Sequence, residues 1–231
     1  MPNAWYESGR TAVLKGLDAN GTAISLSADT IKGVLIDFQG KVSGSPVPYG
    51  KAVTNATNAT PIVVTATSHG YSNGDIVLIA GVLGNTAANG VFKIKNVAAN
   101  TFELTNPDDD TNIAGTGAYT SGGNSVDLST HVFLSDIDAS CRSVSAALSS
   151  KTFNVPRGGV LDAADLVLPS VPALTDASAA EAIVLYKDIS GNAAISPLLA
   201  IITDATGLPI TPNGANETVV WDGGRLRILM I

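Results

Sequence analysis

The stretch that decides the fold is residues 91–97, which read Val91–Phe92–Lys93–Ile94–Lys95–Asn96–Val97. Apolar and polar side chains alternate along it, so that Phe92 and Ile94 share one face of an extended chain while Lys93 and Lys95 share the other. A repeat of two residues is typical of a β-strand that is buried on one face only. This stretch therefore predicts a strand rather than a helix.

Short runs of the same kind recur along the chain, with Gly, Asn, Asp and Pro between them. The predicted strands are Thr30–Asp37, Ile62–Thr67, Asp75–Ala80, Gly90–Asn96, Thr101–Thr105, His131–Leu134, Ala182–Tyr186, Leu198–Thr203, Glu217–Trp221 and Leu226–Ile231. Many short strands separated by turn residues indicate a sandwich or barrel, so the predicted fold class is all-β. Helical pattern is scarce, and Gly9 and Gly16 weaken the one short helix that Trp5–Leu17 suggests.

The C-terminal residues predict a β-hairpin. Asp222–Gly223–Gly224 reads as a turn between the run that ends at Trp221 and the run Arg225–Ile231. Val219 and Trp221 fall on one face of the first run. We expect Trp221 to be a core residue.

Two shifts in composition predict how the chain is divided. Lys51–Thr60 is a polar stretch with a repeated Asn-Ala-Thr, Ser121–Asn124 is rich in glycine, and both are typical of linkers. Between them lie enough residues for a small β module. The prediction is an inserted module at 53–122 and a discontinuous outer β domain, a sandwich or barrel, made of 1–52 and 123–231.

Composition and charge exclude several kinds of partner. Charged residues make up 14% of the chain, against roughly 25% in ordinary domains, and the net charge is −7. Because the chain has no basic run, we expect no nucleic-acid partner and no anionic membrane surface. A surface poor in charge suits assembly with other proteins, although it also fits a merely neutral-polar protein. The single cysteine, Cys141, is expected to be a buried small side chain in a protein that folds in a reducing cytoplasm.

The middle of the chain resembles a recurring small β-barrel module. The resemblance rests on Ser68–His69–Gly70–Tyr71–Ser72–Asn73–Gly74–Asp75–Ile76–Val77, Ala80–Gly81–Val82, Asn89–Gly90–Val91–Phe92–Lys93–Ile94 and Thr101–Phe102–Glu103–Leu104. The module is named after the first catalytic-cysteine half-domain of ubiquitin-activating enzymes. The resemblance implies a β-barrel scaffold for the inserted module and no ubiquitin chemistry.

The flanking parts resemble small virion-associated proteins of tailed bacteriophages. The resemblance rests on Asn3–Arg10, Asp29–Asp37, Ala182–Asp188, Ser196–Ala200, Ala205–Gly214 and Val219–Asp222. It implies a virion protein assembled in the cytoplasm of a bacterial host. A capsid decoration (cement) protein is the first hypothesis, with the major capsid protein and further copies of itself as partners, a trimer being favoured. A tail, baseplate or fibre component with a host-facing β module is the alternative.

The sequence shows no constellation that indicates catalysis, a metal or a cofactor. His69 and His131 have no second ligand at zinc spacing, and His69 is expected to be a structural, hydrogen-bonding histidine. Asp108, Asp110 and Asn112 match the first oxygen positions of a calcium loop, but the pattern fails further on, which favours a solvated loop. We therefore expect a non-enzymatic protein without cofactors.

Aromatic and Arg side chains are the usual anchors of protein interfaces. At the N-terminus, Trp5, Tyr6 and Arg10 are the candidate contact residues. Near the C-terminus, Arg225 and Arg227 lie on a predicted edge strand and are further candidates. The other interpretation of Trp5 is a core residue.

Overall fold

Short strands joined by turns make up most of the chain, and the fold is all-β with one α-helix among the described residues. The computed structural model describes residues 4–42, 47–154, 160–174, 179–221 and 229–230. In chain order the elements are β1 (Ala4–Trp5), α1 (Glu7–Lys15), β2 (Ile31–Ile36), β3 (Lys51–Ala56), β4 (Val63–Ala66), β5 (Ile76–Ala80), β6 (Gly90–Lys95), β7 (Thr101–Thr105), β8 (Asn124–Asp127), β9 (Arg142–Ala147), β10 (Thr152–Asn154), β11 (Val160–Asp162), β12 (Leu166–Leu168), β13 (Ala182–Lys187), β14 (Leu198–Ile202), β15 (Glu217–Val219) and β16 (Leu229–Met230). Short 3-10 turns lie at Thr86–Ala88, Leu134–Asp136, Ala139–Cys141 and Ala193–Ile195.

The chain forms two compact units. The barrel unit is Gly50–Thr130, and the sheet unit consists of the described residues of 3–49 and 131–231. In the barrel unit six antiparallel strands close in the order β3-β4-β7-β6-β5-β8. Closure pairs Lys51 with Ser125, so the first and last strands of the unit are neighbours.

The boundaries of the inserted unit differ from those that composition predicts. The predicted module, 53–122, splits β3 and omits β8, although both strands are needed to close the barrel. The prediction of linkers at Lys51–Thr60 and Ser121–Asn124 is therefore wrong where these stretches form strands, at Lys51–Ala56 and at Asn124. The polar stretch forms β3, in which Val53 and Ala56 point into the core, and Asn124 begins β8. Backbone pairing and two buried side chains outweigh the low hydrophobicity of the stretch.

The core of the barrel follows the alternation seen in the sequence. Phe92 and Ile94 are buried, whereas Lys93 and Lys95 lie on the outer face of β6. Each buried side chain of this size stabilises the fold by about 1.5–3 kcal/mol. The barrel core contains Val53, Ala56, Ile62, Val64, Ala66, Val77, Ile79, Val82, Ala88, Phe92, Ile94, Phe102 and Leu104.

The sheet unit is built around a five-stranded antiparallel sheet in the order β1-β14-β13-β2-β9. Every residue of β13 and β14 is buried, so these two strands are covered on both faces. Two small sheets, β10-β11-β16 and β12-β15, complete the unit among the described residues. Trp221 packs in the core with Leu166 and Val219, which confirms its predicted core position.

The turn of the predicted C-terminal hairpin, Asp222–Gly224, lies outside the described residues, and the described strands on either side of it pair with other strands. β15 pairs with β12, and β16 pairs with β11. The register sets Leu166 opposite Val219, which brings both side chains into the core of the unit. Burial against a distant strand therefore decides the pairing of β15.

Helix α1 packs closely on β14, and two glycines, Gly9 within the helix and Gly16 at its C-terminal end, explain how. An added Cβ at Gly9 would lie 2.3 Å from the backbone oxygen of Leu199, so only glycine permits this approach. Gly16 ends the helix in the left-handed conformation, with φ of 71°. The glycines that weaken the helix in the sequence thus place it and end it. No helix in the described ranges is long and apolar enough to cross a membrane.

Candidate functional site

The five predicted contact residues have different environments. Trp5 is half-buried, pairs with Ala200 and packs against the core of the sheet unit. Tyr6 is fully buried, so its prediction as a contact residue is wrong. Its hydroxyl is satisfied within the unit, 2.5 Å from that of Tyr49. Arg10 is exposed on α1. Arg225 and Arg227 lie outside the described residues.

An exposed apolar stripe continues from Arg10 along α1. Leu14 is 69% exposed and Leu17 is 49% exposed. Arg10 and Leu14 are four residues apart, which sets them on one side of the helix, and Leu17 lies just beyond the end of the helix at Gly16. Asn20 Nδ2 donates to the backbone oxygen of Ile195 at 2.8 Å, which brings this exposed residue beside the same turn. We call Arg10, Leu14, Leu17 and Ile195 the α1 face.

Sequence reasoning missed the leucines of the α1 face. A leucine in a short amphipathic helix is normally expected to face the core. Here the close approach at Gly9 turns that side of α1 toward β14, with Ala12 buried as well. Only the packing of the helix therefore reveals that Leu14 and Leu17 face solvent.

A buried cluster of charged groups lies beside the same turn. Lys187 Nζ is 2.9 Å from Asp18 Oδ2 and 3.3 Å from Asp29 Oδ2, and it donates to the backbone oxygen of Ala23 at 2.9 Å. The side chains of Lys187 and Asp18 are 8% and 0% exposed. Lys151 Nζ donates to the backbone oxygen of Asp29. The cluster joins the turn after α1 and the loop before β2 to the end of β13.

The other oxygen of Asp18 has its own donors. Asp18 Oδ1 accepts the backbone N–H groups of Asn20 at 2.9 Å and Thr22 at 3.0 Å. Burial by itself raises the pKa of Asp18, but hydrogen bonds from Lys187 and from these two N–H groups outweigh it and lower the pKa. Burial lowers the pKa of Lys187, and its bonds to Asp18 and Asp29 reverse that effect and raise it. The resting state of the cluster is therefore an ion pair.

A second pair of acidic groups lies where β2 ends. Glu181 Oε2 accepts the backbone N–H of Phe38 at 2.9 Å. Asp37 is fully buried, and its carboxylate accepts the backbone N–H groups of Gln39 and Lys41. Burial raises the pKa of Glu181 to about 7, and the charge of Asp37 adds to the rise.

The raised pKa of Glu181 predicts the pH dependence of stability. In the unfolded chain the group has a pKa near 4.5, so between pH 4.5 and about 7 the folded chain holds a proton that the unfolded chain has lost. Stability should therefore fall as pH rises through this window, by about 3 kcal/mol in all. Glu181→Gln, which keeps an acceptor for Phe38, should remove this fall.

Urea unfolding between pH 4 and pH 8 measures the effect. Glu7→Gln, at an exposed position on α1, is the matched control and should leave the profile as in the wild type. A wild-type stability that does not fall over this range would contradict the raised pKa of Glu181.

Three aromatic residues form a chain of contacts where the barrel unit is inserted into the sequence. Tyr6 Oη bonds to Tyr49 Oη, which lies 3.3 Å from His131 Nδ1. The rings of Tyr49 and His131 stack with centroids 5.2 Å apart. Tyr49 directly precedes the barrel unit in sequence and His131 directly follows it. The contact between them therefore brings together the two places where the chain leaves and re-enters the sheet unit.

His69 and Cys141 are structural residues. His69 is buried, its Nδ1 accepts the backbone N–H of Tyr71 at 3.0 Å, and its ring stacks on Tyr71 with Phe102 edge-on, which confirms the predicted role. Cys141 is buried, as predicted, and its thiol donates to the backbone oxygen of Val47. Burial raises the pKa of Cys141 to about 11, so the thiol is a poor nucleophile at neutral pH.

The acidic loop at Asp108–Asn112 is held by two lysines of β6. Asp110 pairs with Lys93 at 2.8 Å, and Asn112 accepts from Lys95 at 2.6 Å. In the described part of the chain, no three His, Cys, Asp or Glu side chains are grouped so that they could hold a metal ion.

The arrangement offers two functional features, the exposed α1 face and the buried Lys187 cluster. The first suits contact with another protein, and the second suits a role inside the fold. Comparison with known proteins adds no assignment: no protein-family model matches the chain, and no curated protein matches it.

Proposed function

We propose that this chain is a non-enzymatic structural protein of a tailed-bacteriophage particle. Its role is that of a capsid decoration (cement) protein, which binds the major capsid lattice and associates with further copies of itself, as a trimer. Bound protein adds buried interface between capsid subunits and so opposes rupture of the shell. The resemblance of the flanking sequence to virion-associated proteins supports this assignment.

The observation that carries the proposal is the α1 face. Leu14 is 69% exposed on α1, one turn from the exposed Arg10, and Leu17 is 49% exposed just after the helix ends. Scattered exposed apolar residues are ordinary, but an apolar stripe with Arg at its edge has the composition of an interface. Contact through this stripe removes apolar area from water without burying many charges.

The barrel supports the same role in a different way. All six of its strands are paired on both sides, so it presents no free strand edge. On a particle surface many copies lie close together, and a free edge would promote pairing between wrong neighbours. A closed barrel suits display at such a density.

The double variant Leu14→Asp/Leu17→Asp tests the α1 face. Purified protein is added to particles that lack it, and bound protein is measured after sedimentation at several concentrations. We expect affinity to fall at least roughly tenfold, or about 1.4 kcal/mol, because two charges would have to be desolvated in the interface. Folding should be retained, since both side chains face solvent.

Leu83→Asp is the matched control, because Leu83 is 57% exposed in the barrel unit. It should bind as the wild type does. Wild-type binding by the double variant would remove the α1 face as the contact. Particles without the protein that withstand heating as well as complete ones would contradict the cement role itself.

The alternative function is a tail, baseplate or fibre component. The observation that favours it is the barrel unit, which has its own closed sheet and its own core and could serve as a host-facing module. Density for the labelled protein in images of whole particles separates the two functions. Label over the head supports the decoration protein, and label confined to the tail supports the alternative.

A further inference from the structure

We propose that Lys187 and Asp18 condense to an intramolecular amide bond, with Asp29 transferring the proton. The reacting groups are already in contact, since Lys187 Nζ lies 2.9 Å from Asp18 Oδ2 and the carboxyl carbon is one bond further. A pair held in this way reacts as one molecule, with the high effective concentration of an oriented intramolecular reaction. The inference does not depend on the proposed virion function.

The surroundings of Asp18 favour attack at its carboxyl carbon. When nitrogen attacks, negative charge develops on Oδ1, and this atom already accepts the backbone N–H groups of Asn20 and Thr22. Two backbone donors at 2.9 Å and 3.0 Å form the arrangement that stabilises such an oxyanion.

Lys187 and Asp29 supply the nucleophile and the proton route. The bond from Nζ to the backbone oxygen of Ala23 orients the amine. Asp29 Oδ2 lies 3.3 Å from Nζ and is held by the backbone N–H of Ser25 at 2.8 Å. This carboxylate is partly exposed, so it can exchange protons while Asp18 remains dry.

The reaction balances without any further reagent. A proton first moves from Lys187 Nζ to Asp18 Oδ2, which leaves a neutral amine and a neutral carboxylic acid. The Nζ lone pair then attacks the carboxyl carbon, and the electron pair of the carbonyl moves to Oδ1. Asp29 takes a proton from Nζ and returns it to the hydroxyl at Oδ2. The carbon–Oδ2 bond breaks, water leaves with its electron pair, and the carbonyl forms again.

The neutral pair is the minor form of this cluster, so the bond is expected to form slowly after folding. Once formed, it joins the turn that follows α1 to the end of the central strand β13. A covalent link between residues so far apart in sequence restricts the unfolded chain strongly. It would hold the α1 turn in place under mechanical load.

Intact-mass spectrometry of the purified full-length protein tests the bond. The sample is measured immediately and again after prolonged incubation below its unfolding temperature. The expected result is loss of one water per chain, with a branched peptide that joins the Lys187 and Asp18 segments after proteolysis. A mass equal to that of the sequence at both times, or a branch at any other pair, overturns the proposal.

Variants identify the chemistry. Lys187→Arg should keep the full sequence mass, and Asp29→Asn should slow or abolish the loss of water. Asp18→Asn should lose ammonia instead of water if it folds, because an amide at this position releases ammonia on attack. Loss of water that persists in Lys187→Arg would place the reaction elsewhere and overturn the assignment.

The molecule carries an internal control. Lys32 and Asp188 form an ion pair of similar length, 3.0 Å, at the neighbouring end of β2. Both side chains are partly exposed. Peptides that contain Lys32 and Asp188 should therefore remain unbranched in the same digest, and a branch between them would show that contact alone explains the chemistry.

Discussion

Lys187→Met is expected to lower the free energy of unfolding by about 3–5 kcal/mol, because it leaves the carboxylate of Asp18 buried without its cation. The apolar side chain of methionine takes the place of the methylene stem of the lysine, so the change removes the charge and keeps most of the packing. Urea unfolding at pH 7, followed by the fluorescence of buried Trp221, measures the loss. The variant also lacks the proposed amide, so the loss is larger if that bond is present.

Lys32→Met is the matched control for the same substitution. Its ion pair with Asp188 is partly exposed, and such pairs contribute only about 0–1 kcal/mol. A loss from Lys187→Met as small as that of the control would show that the buried cluster does not stabilise the fold.

The pH profile of Lys187→Met separates a charge effect from a packing defect. In freshly folded wild-type protein, before the proposed amide forms, the lowered pKa of Asp18 gives stability that is present above pH 3.8 and is lost as the pH falls through the folded-state pKa. Without Lys187 its share of this lowering is lost, so the variant should lose less stability than the wild type as the pH falls. A packing defect would leave the slope unchanged.

Gly9→Ala is expected to destabilise the protein by about 3 kcal/mol, since the new methyl would overlap the backbone of Leu199 and force α1 away from β14. In an exposed helix the same change stabilises by roughly 0.5–1 kcal/mol, so the expected sign is opposite to that of helix propensity. Thermal and urea unfolding both report the loss. Displacement of α1 also moves the α1 face, so binding to particles should weaken.

Gly16→Ala, at the C-terminal end of α1, is the control. Gly16 has φ of +71° with no atom within 4 Å of an added Cβ, so only the left-handed backbone is penalised, by about 1 kcal/mol. A Gly9→Ala protein as stable as the wild type would show that α1 does not pack on β14 as described.

The local sequence pattern predicted strand bounds well where the neighbouring strands pair with the whole predicted run. Thr101–Thr105 has the bounds predicted for it, and Gly90–Lys95 ends one residue before its prediction. His131–Leu134 is the exception among the described runs, because Leu134 begins a 3-10 turn there. Asp136 Oδ2 accepts the backbone N–H groups of Val132 and Phe133, and this bonding replaces a strand ladder.

Composition failed where polar residues take part in a closed sheet. Lys51–Thr60 lacks a hydrophobic run, yet its first six residues form β3 because β4 and β8 supply partners on both sides. The candidate contact residues show the same limit. Tyr6 and Arg10 stand four residues apart in sequence, but one is fully buried and the other exposed.

The amino-acid sequence by itself determined the all-β class, the core positions of Trp221, Phe92 and Ile94, and the structural role of His69. These features depend on the alternation of side chains along a strand and on turn residues between strands, which are local properties. The β-barrel that the resemblance predicted for the inserted module is confirmed. Tertiary structure alone decided which strands close that barrel, the exposure of the α1 face and the meeting of Lys187 with Asp18. Each of these requires segments far apart in sequence to come into contact, and the backbone bonds and burial that select those contacts do not exist until the chain has folded.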